Sequence, residues 1–295
     1  MYDFNVRVAD NLEQALELKA EMQDKLTILA GGTDLLVAYR LGKHRHLKDV
    51  LDITHIDELR KIWLDDQGLH IGALATHTDV MESPVVQEYF PALADSLKII
   101  GSIQIRNLGT VVGNVCNASP GGDSLPILYC ANALVTVRSK QSTASIPLDE
   151  FLTGPGQKTL ANDALVTHLT VPTEVRNFVG KHLTLRQRTP LSINKVSVAL
   201  LMSFREDQRT VDEVRVSLGA VAPTVVRVAP AEAFLRGKVI DESTITQFAQ
   251  LCAEAAKPIT DVRSNAEYRK AMVEVLAGRI LRLVTGEESV LDLVH

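Results

Sequence analysis

The sequence predicts an α+β fold, and three observations support that class. Apolar residues recur at helical spacing near the start of the chain and again over its last third. Between these regions, short apolar runs with alternating polar positions are separated by Gly, Pro and Asp, which is typical of strands. Of the 295 residues, 46% are hydrophobic, which is enough for ordinary buried cores, and the length favours two domains or one domain with a large addition.

The first 55 residues are predicted to form a small β-α-β unit. Asp10 is placed to cap a helix, and Glu13 can reach back to it. Strands are predicted at residues 26–30, ending at two glycines, and at residues 50–53. The helix that precedes both strands carries an apolar stripe of Leu12, Ala15, Leu16 and Met22.

The next segment starts with a β-hairpin. Residues 60–64 and 69–74 flank the turn sequence Asp66-Gln67-Gly68. A helix is predicted from Pro84 to about residue 100, because proline is well tolerated in the first helical turn. Residues 101–125 show little periodicity, and such a long irregular stretch inside a compact domain is usually functional.

Strands resume in the second half, and the polar segment 172–180 is the predicted domain boundary. We therefore expect one domain at residues 1–175, with a small lobe at about 1–55 and a larger lobe at about 56–175, and a C-terminal domain at 176–295. The remaining predicted strands are 133–138, 165–171, 196–205 and 213–221, and the remaining helices are 229–236, 243–256 and 264–285.

Composition excludes several classes of protein. The net charge is −5 and no basic face is evident, which argues against a nucleic-acid binder. No apolar run reaches the length of about 18 residues that a membrane helix needs. The N-terminus lacks the pattern of a secretory signal, so we expect a cytoplasmic protein. The three cysteines, Cys116, Cys130 and Cys252, are widely spaced, so no zinc or iron–sulfur site is expected in this chain.

The first segment with chemical character is a strand that runs into two glycines. Without Cβ atoms the backbone can turn sharply, and a phosphate can approach its amides. Taken alone, the segment is more often an ordinary turn. It is neither a Rossmann nor a Walker motif, and the passing Walker likeness at residues 154–159 is read as an ordinary loop. The segment consists of Leu29, Ala30, Gly31, Gly32, Thr33 and Asp34.

The second segment, residues 101–123, is dense in glycine, asparagine, serine and threonine. These residues supply small donors and allow a ligand to approach the backbone closely. Asp123 at its end is suited to accept a hydrogen bond from a ribose hydroxyl, as acids do in other dinucleotide sites. Together, the two segments predict a bipartite site for a pyrophosphate.

These segments carry a resemblance to a known family. Residues 30–34, paired with 104–110 and followed by Gly113-Asn114 and 119–123, resemble the flavin subunit of the xanthine dehydrogenase family of molybdenum hydroxylases. The resemblance covers about residues 1–285, and it rests on the order and spacing of motifs that are individually weak. Further similar segments are 71–76, 151–156, 218–224 and 258–263.

The resemblance implies a fold and a set of cofactor contacts. The fold is a two-lobed α+β FAD-binding domain of the PCMH or vanillyl-alcohol-oxidase type, followed by a small α+β domain with a three-stranded antiparallel sheet and a helical bundle. The segment from Thr184 to Lys195 would cover the flavin. The implied contacts are residues 29–34, Thr110, Gly113 and Asn114 at the pyrophosphate, Ile100 and Gly101 at the flavin or adenine end, Asp123 at ribose, and Leu165 and Val166 beside the isoalloxazine ring.

Two positions depart from the family pattern. Val112 stands where a glycine is frequent, so it either displaces the phosphate or points into the core. Thr184 stands where a lysine is frequent, and a cation there would favour the anionic reduced flavin. Arg186, Arg188 and Lys181 are candidate replacements for that charge.

The implied function is electron transfer. Electrons would leave a substrate at a molybdopterin centre in a large partner subunit and pass through 2Fe–2S clusters of a small partner. They would then reach FAD on this chain and finally NAD or another acceptor. The assembly would be a dimer of heterotrimers. No catalytic acid or base is expected, since His77 and His182 are more simply structural.

Two alternatives stay open at this point. One is a self-sufficient FAD-dependent oxidoreductase, although the last ~110 residues are short and helical for a substrate-binding cap. The other is a cofactor-free binding module, which the intact Gly31-Gly32 and Asp123 disfavour. Residues 153–156 favour purine oxidation by the complex, while nicotinate, other N-heterocycles, aldehydes and carbon monoxide stay open.

Overall fold

The N-terminal lobe is a three-stranded parallel sheet with two helices, so it contains a first strand and a second helix beyond the one helix and two strands placed from sequence. The computed structural model describes residues 3–44, 46–187 and 192–286. The strands lie in the order β1-β3-β2, so the central strand pairs with both neighbours. The elements of this lobe are β1 (Asn5–Val8), α1 (Leu12–Met22), β2 (Leu26–Leu29), α2 (Leu35–Arg40) and β3 (Asp49–Asp52).

The predicted cap of α1 is displaced by one residue. Asn11, not Asp10, has the extended backbone of an N-cap, and its side chain accepts a hydrogen bond from the amide of Gln14 at 2.9 Å. The side chain of Gln14, not that of Glu13, reaches back to accept from the amide of Asp10. Both residue types at 10 and 11 are good caps, so the sequence alone does not distinguish them.

The larger lobe is built on a five-stranded antiparallel sheet in the order β4-β5-β10-β6-β7. The predicted hairpin is confirmed as β4 and β5. The segment at 154–159, which was expected to be an ordinary loop, instead forms the turn and second strand of a small hairpin, β8-β9. The strands are β4 (Ile62–Leu64), β5 (Gly68–Gly72), β6 (Leu134–Arg138), β7 (Thr143–Pro147), β8 (Leu152–Gly154), β9 (Gln157–Lys158) and β10 (Leu165–Pro172).

Among the described residues, seven short helices belong to this lobe, and they differ from the prediction in two places. The single helix expected from residue 84 to about 100 is two helices, because Pro91 cannot continue the hydrogen-bond ladder and Phe90 before it leaves the helical region. The segment 101–125 is not irregular throughout but contains two short helices. The helices are α3 (His77–Glu82), α4 (Pro84–Tyr89), α5 (Pro91–Leu97), α6 (Ile103–Arg106), α7 (Val111–Asn117), α8 (Leu125–Cys130) and α9 (Leu148–Phe151).

The C-terminal domain is an antiparallel sheet covered by helices. The sheet has four strands in the order β11-β12-β13-β14, and the expected count of three misses a final strand of two residues. No helix within the described residues combines the length and apolarity needed to cross a bilayer. The elements are β11 (Val179–Leu185), β12 (Val196–Phe204), β13 (Val211–Gly219), β14 (Val226–Arg227), α10 (Ala229–Leu235), α11 (Glu242–Ala255) and α12 (Ala266–Thr285).

Two hydrophobic cores meet at strand β12. Val198 and Leu200 belong to the C-terminal core with the helices α11 and α12. Ala199 and Leu201 point to the other face and belong to the core of the N-terminal lobes. The period-2 alternation of the strand therefore gives each of the two cores one face of β12.

Candidate functional site

The two glycine-containing segments of the sequence lie in direct contact. A Cβ on Gly31 would stand 1.9 Å from the carbonyl oxygen of Leu108 and 3.0 Å from the Cα of Gly109. A Cβ on Gly109 would in turn stand 3.1 Å from the Thr33 hydroxyl. Gly32, which follows Gly31, has a φ of +67°, a conformation that favours glycine. The structure thus brings together the two halves of the predicted pyrophosphate site.

The second segment is tied to the turn before α3. The amide of His77 donates to the carbonyl of Gly109 at 2.9 Å, and the amide of Val111 donates to Ala75 at 3.2 Å. Thr110 lies between these bonds and is 4% exposed. These contacts fix the backbone at the start of α7 relative to the sheet.

Three predicted contact residues share the first turn of α7. The Thr110 hydroxyl accepts a hydrogen bond from the amide of Gly113 at 2.9 Å and caps the helix. A Cβ on Gly113 would stand 2.7 Å from that hydroxyl, so the close approach requires glycine. The Asn114 side chain accepts from the Ser124 hydroxyl at 2.8 Å. The cap at Thr110 explains why helix α7 starts here although the sequence shows no helical periodicity.

Val112 points into the core. Its side chain is 3% exposed and belongs to the hydrophobic cluster of the larger lobe. Of the two outcomes expected for this departure from the family pattern, the buried one is observed. The additional side chain is therefore packed away from the Gly31–Leu108 contact.

Ile100 and Gly101 lie at the end of the α5 segment. The Arg106 guanidinium donates to both of their carbonyl oxygens, at 3.0 Å and 3.3 Å. Gly101 has φ +49°, and the Ile100 side chain is buried. The backbone of this predicted contact is therefore held by an arginine that lies on α6.

Leu165 and Val166 lie at the start of β10. Both are buried in the core of the larger lobe, and their partners in the register of the sheet are Arg138 and Val137 on β6. Their predicted position beside the isoalloxazine ring stays a prediction.

Asp123 meets the C-terminal domain. Its Oδ1 lies 2.6 Å from the Arg186 guanidinium and also accepts a hydrogen bond from the Asn194 amide. Burial raises the pKa of this carboxyl, and the charge of Arg186 and these hydrogen bonds oppose that rise. This cluster was not predicted from the sequence, because Asp123 is more than 60 residues from both Arg186 and Asn194 and the three residues form no local motif.

The three candidate cations near Thr184 have different surroundings. Lys181 lies 3.7 Å from Asp95 and is half-exposed. Arg188 lies outside the described residues. Arg186 donates from Nε to the Thr184 hydroxyl at 3.2 Å, so it is the described cation that is adjacent to that position.

His77 and His182 are uncharged near neutral pH. Burial and then the charge of Arg106 lower the pKa of His77 to about 4. Burial and then the charge of Arg186 lower the pKa of His182 to about 3. Among the described residues, His77 Nδ1 and both ring nitrogens of His182 have no hydrogen-bond partner. A neutral, buried imidazole agrees with a role other than acid catalysis.

A cavity of about 230 Å³ lies next to the Asp123 cluster. Asn194 contributes to both, and four of the family-like segments meet around the cavity. Backbone bonds join them: Gly156 donates to Ala118, and Ala220 donates to Pro120, each at 2.9 Å. The lining residues include Ser119–Gly121, Pro155, Ala220, Ala222, Pro223, Lys257, Ile259, Asp261, Arg263 and Arg269.

Comparison with known protein families accounts for both domains. Residues 2–174 match the model described as the FAD binding domain in molybdopterin dehydrogenase. Residues 182–284 match the model described as the CO dehydrogenase flavoprotein C-terminal domain. The two matches together cover nearly all of the chain.

Individual relatives match over almost their full length. The xanthine dehydrogenase FAD-binding subunit of Escherichia coli O157:H7 is 28% identical, with 95% of this chain and 96% of the relative covered. The carbon monoxide dehydrogenase medium chain of Hydrogenophaga pseudoflava is 26% identical, with 94% and 96% covered. The solved structure of carbon monoxide dehydrogenase from the same organism has a chain with a TM-score of 0.90 to this one, with 26% identity and 98% and 99% of the two chains covered. The chain therefore belongs to the family of FAD-binding medium subunits of molybdopterin-dependent dehydrogenases such as xanthine and carbon monoxide dehydrogenase.

Proposed function

We propose that this chain carries FAD as the electron-transfer subunit of a multi-subunit, xanthine dehydrogenase-like molybdenum hydroxylase. It takes electrons from the 2Fe–2S clusters of a partner subunit and passes them to NAD or another acceptor. The observation that carries the proposal is the contact of Gly31 with Leu108 and Gly109, which joins two glycine-containing loops into one cradle.

The residues of this cradle fit a pyrophosphate. Gly31 and Gly109 allow the two loops to pack backbone against backbone, and glycine-containing loops of this kind present the amides to which phosphates bind. Bound FAD supplies the hydride and one-electron chemistry, and the chain supplies binding and orientation. The residues that would hold the pyrophosphate are Leu29, Ala30, Gly31, Gly32, Thr33, Asp34, Thr110, Gly113 and Asn114.

Asp123 is suited to bind a ribose hydroxyl of the cofactor. Within the described part of the chain, its contacts with Arg186 and Asn194 both fall on Oδ1. Oδ2 is therefore able to accept a hydrogen bond from a ligand hydroxyl. An ionised carboxylate is the stronger acceptor for such a bond.

The cavity beside Asp123 supports NAD as the acceptor. Lys257, Arg263 and Arg269 line it together with a single described carboxylate, that of Asp261. This excess of positively charged side chains favours the phosphates of a pyridine dinucleotide. The volume of about 230 Å³ is sufficient for part of such a ligand. Its position next to Asn194 and Asp123 would place the acceptor against the flavin site.

The proposed partners follow from the electron route. A large molybdopterin-binding subunit would oxidise the substrate, and a small 2Fe–2S subunit would lie between it and this chain, in a dimer of heterotrimers. Support comes from the near-complete coverage of relatives named medium chains or FAD-binding subunits.

FAD loading and acceptor reduction test the proposal. The purified chain is mixed with FAD, and the bound cofactor is released by denaturation and quantified; we expect about one FAD per chain. The dithionite-reduced, FAD-loaded chain should then form NADH from NAD. Lys257→Ala combined with Arg263→Ala should raise the NAD concentration required by about tenfold, because charge-assisted contacts are lost. Val262→Ala, at an exposed neighbouring position, is the control.

Each alternative predicts a different result. A cofactor-free binding module would bind no FAD at any concentration. A self-sufficient oxidoreductase would oxidise an organic substrate as the isolated chain. Co-purification with a 2Fe–2S protein and a molybdopterin protein would support the electron route, and a stable, fully active isolated chain would contradict it.

A further inference from the structure

Arg186 reaches from the C-terminal domain into the FAD-binding domain. Its side chain is 3% exposed, although it follows the end of strand β11. One amino group donates to the carbonyl of Ile99 at 2.9 Å and to that of Ser192 at 3.3 Å. The other lies 2.6 Å from Asp123, and Nε donates to Thr184. The guanidinium thus contacts both domains, through hydrogen bonds from Nε and one amino group and through an ion pair of the other amino group.

The partners of Arg186 frame the cofactor site. Ile99 immediately precedes Ile100 and Gly101, and Asp123 lies at the turn before α8. In sequence these two segments are 24 residues apart, and one planar guanidinium joins them. Because the fork geometry of arginine is rigid, it fixes both distance and orientation.

The charge of Arg186 also maintains that of Asp123. A buried carboxylate without a cation would take up a proton more readily, because desolvation disfavours its charged form. Two uncharged side chains also face this pair: the Asn194 amide donates to Asp123, and the titratable but neutral His182 adjoins Arg186. Arg186 is therefore the described cation that opposes the burial of Asp123.

We propose that Arg186 is a positioning residue for FAD, which holds Asp123 and the 99–101 segment in the arrangement that binds the cofactor. This inference rests on the proposed FAD-binding function. Arg186 acts through Asp123 and the backbone, and not by contact with the reacting atoms.

Arg215 provides a matched control. It is also a buried arginine of the C-terminal domain that reaches into the FAD-binding domain, and it donates to Cys130 and pairs with Glu174. Cys130 ends helix α8, whereas Asp123 lies just before its start. The two arginines thus hold opposite ends of a helix about 9 Å long, and of the two, Arg186 is the one that contacts the predicted cofactor segments.

The test compares FAD affinity and apoprotein stability in both variants. Arg186→Gln should weaken FAD binding about tenfold to a hundredfold, the range for a lost hydrogen bond to a charged group. Arg215→Gln should lower the melting temperature of the apoprotein similarly but change the FAD dissociation constant by less than about twofold. The double variant Asp123→Asn with Arg186→Gln should lose less binding free energy for FAD than the sum of the losses in the two single variants, because the two residues act as one unit.

A pH profile separates positioning from general destabilisation. In Arg186→Gln, the pKa of the Asp123 carboxyl rises because its cation is gone, so FAD affinity should increase with pH as that carboxyl ionises. In the wild type the same dependence should lie at lower pH, because Arg186 opposes the rise of this pKa, and the double variant with Asp123→Asn should show none. Arg186→Lys retains the charge but not the fork, so it should bind FAD several-fold more weakly with the pH dependence of the wild type, and it replaces Arg186→Gln if that variant fails to fold.

Two outcomes would overturn the inference. One is wild-type FAD affinity in Arg186→Gln, or in Arg186→Lys where only that variant folds. The other is a loss of affinity matched by Arg215→Gln, without the shift in pH dependence. Absence of FAD binding by the wild-type chain would instead overturn the proposed function, so the two failures are distinguishable.

Discussion

Gly31 and Leu108 approach so closely that a Cβ on Gly31 would stand 1.9 Å from the Leu108 carbonyl oxygen. Real Cβ atoms do not tolerate this distance to backbone, so the contact requires glycine. The two loops of the site are therefore matched by the shape of their backbones. The predictions below follow from this contact and from the groups around it.

Gly31→Ala should separate the two loops. The new methyl group must displace the backbone of residues 108–109, and we expect FAD affinity to fall by at least about tenfold, since backbone approach positions the phosphate contacts. Isothermal titration with FAD measures the effect. Gly278→Ala is the matched control. A Cβ at this position in α12 would make only ordinary van der Waals contacts, so the substitution should leave FAD affinity unchanged.

Thr110→Val should destabilise the start of α7. The variant retains the shape of the side chain but loses the hydroxyl that accepts from Gly113, at a cost of about 1 kcal/mol. Urea unfolding of the apoprotein measures this free energy. Thr110→Ser retains the cap and should recover most of the stability, and equal losses in both variants would contradict the capping role.

Val112→Ala should affect stability rather than cofactor binding. The side chain is buried in the core, so its truncation should cost about 2 kcal/mol of unfolding free energy. The FAD dissociation constant should stay within about twofold of the wild type, because the side chain points away from the loops. A large change in FAD affinity at unchanged stability would place Val112 at the phosphate instead.

His77 should make stability depend on pH. Its pKa falls from 6.5 to about 4 on folding, so between these values the unfolded chain binds a proton that the folded chain does not. The contribution of His77 is therefore fully present above about pH 6.5 and is lost, by an amount of order 3 kcal/mol, as the pH falls toward 4.

His77→Gln isolates this contribution. Urea unfolding of wild type and variant over the same pH interval should give a difference in unfolding free energy that increases with pH. A difference that is constant with pH would show that His77 does not titrate between the two states.

Long elements with strong patterns were predictable from sequence. The strands β12 and β13 and the helices α11 and α12 lie within two residues of their predicted bounds, because each carries several repeats of its apolar period. Short elements were not. Helices α6 and α7 have only four and seven residues, and the caps Ser102 and Thr110 are their main local signal.

The site was predictable where it consists of local motifs. The two glycine-containing segments were identified from sequence, and the structure places them in contact. The Arg186–Asp123–Asn194 cluster was not identified, because its geometry depends on how two domains pack. Local sequence gives no information on which distant carboxylate a given arginine will meet.

Strand β12 has a consequence for how the molecule unfolds. Since Ala199 and Leu201 contribute to one core while Val198 and Leu200 contribute to the other, neither core is complete when the strand is missing. Calorimetry of the whole chain should therefore show one melting transition, and a fragment that ends before this strand would expose apolar surface and aggregate. Either half expressed alone would thus lack part of its core, and its behaviour would not be that of an independent folding unit.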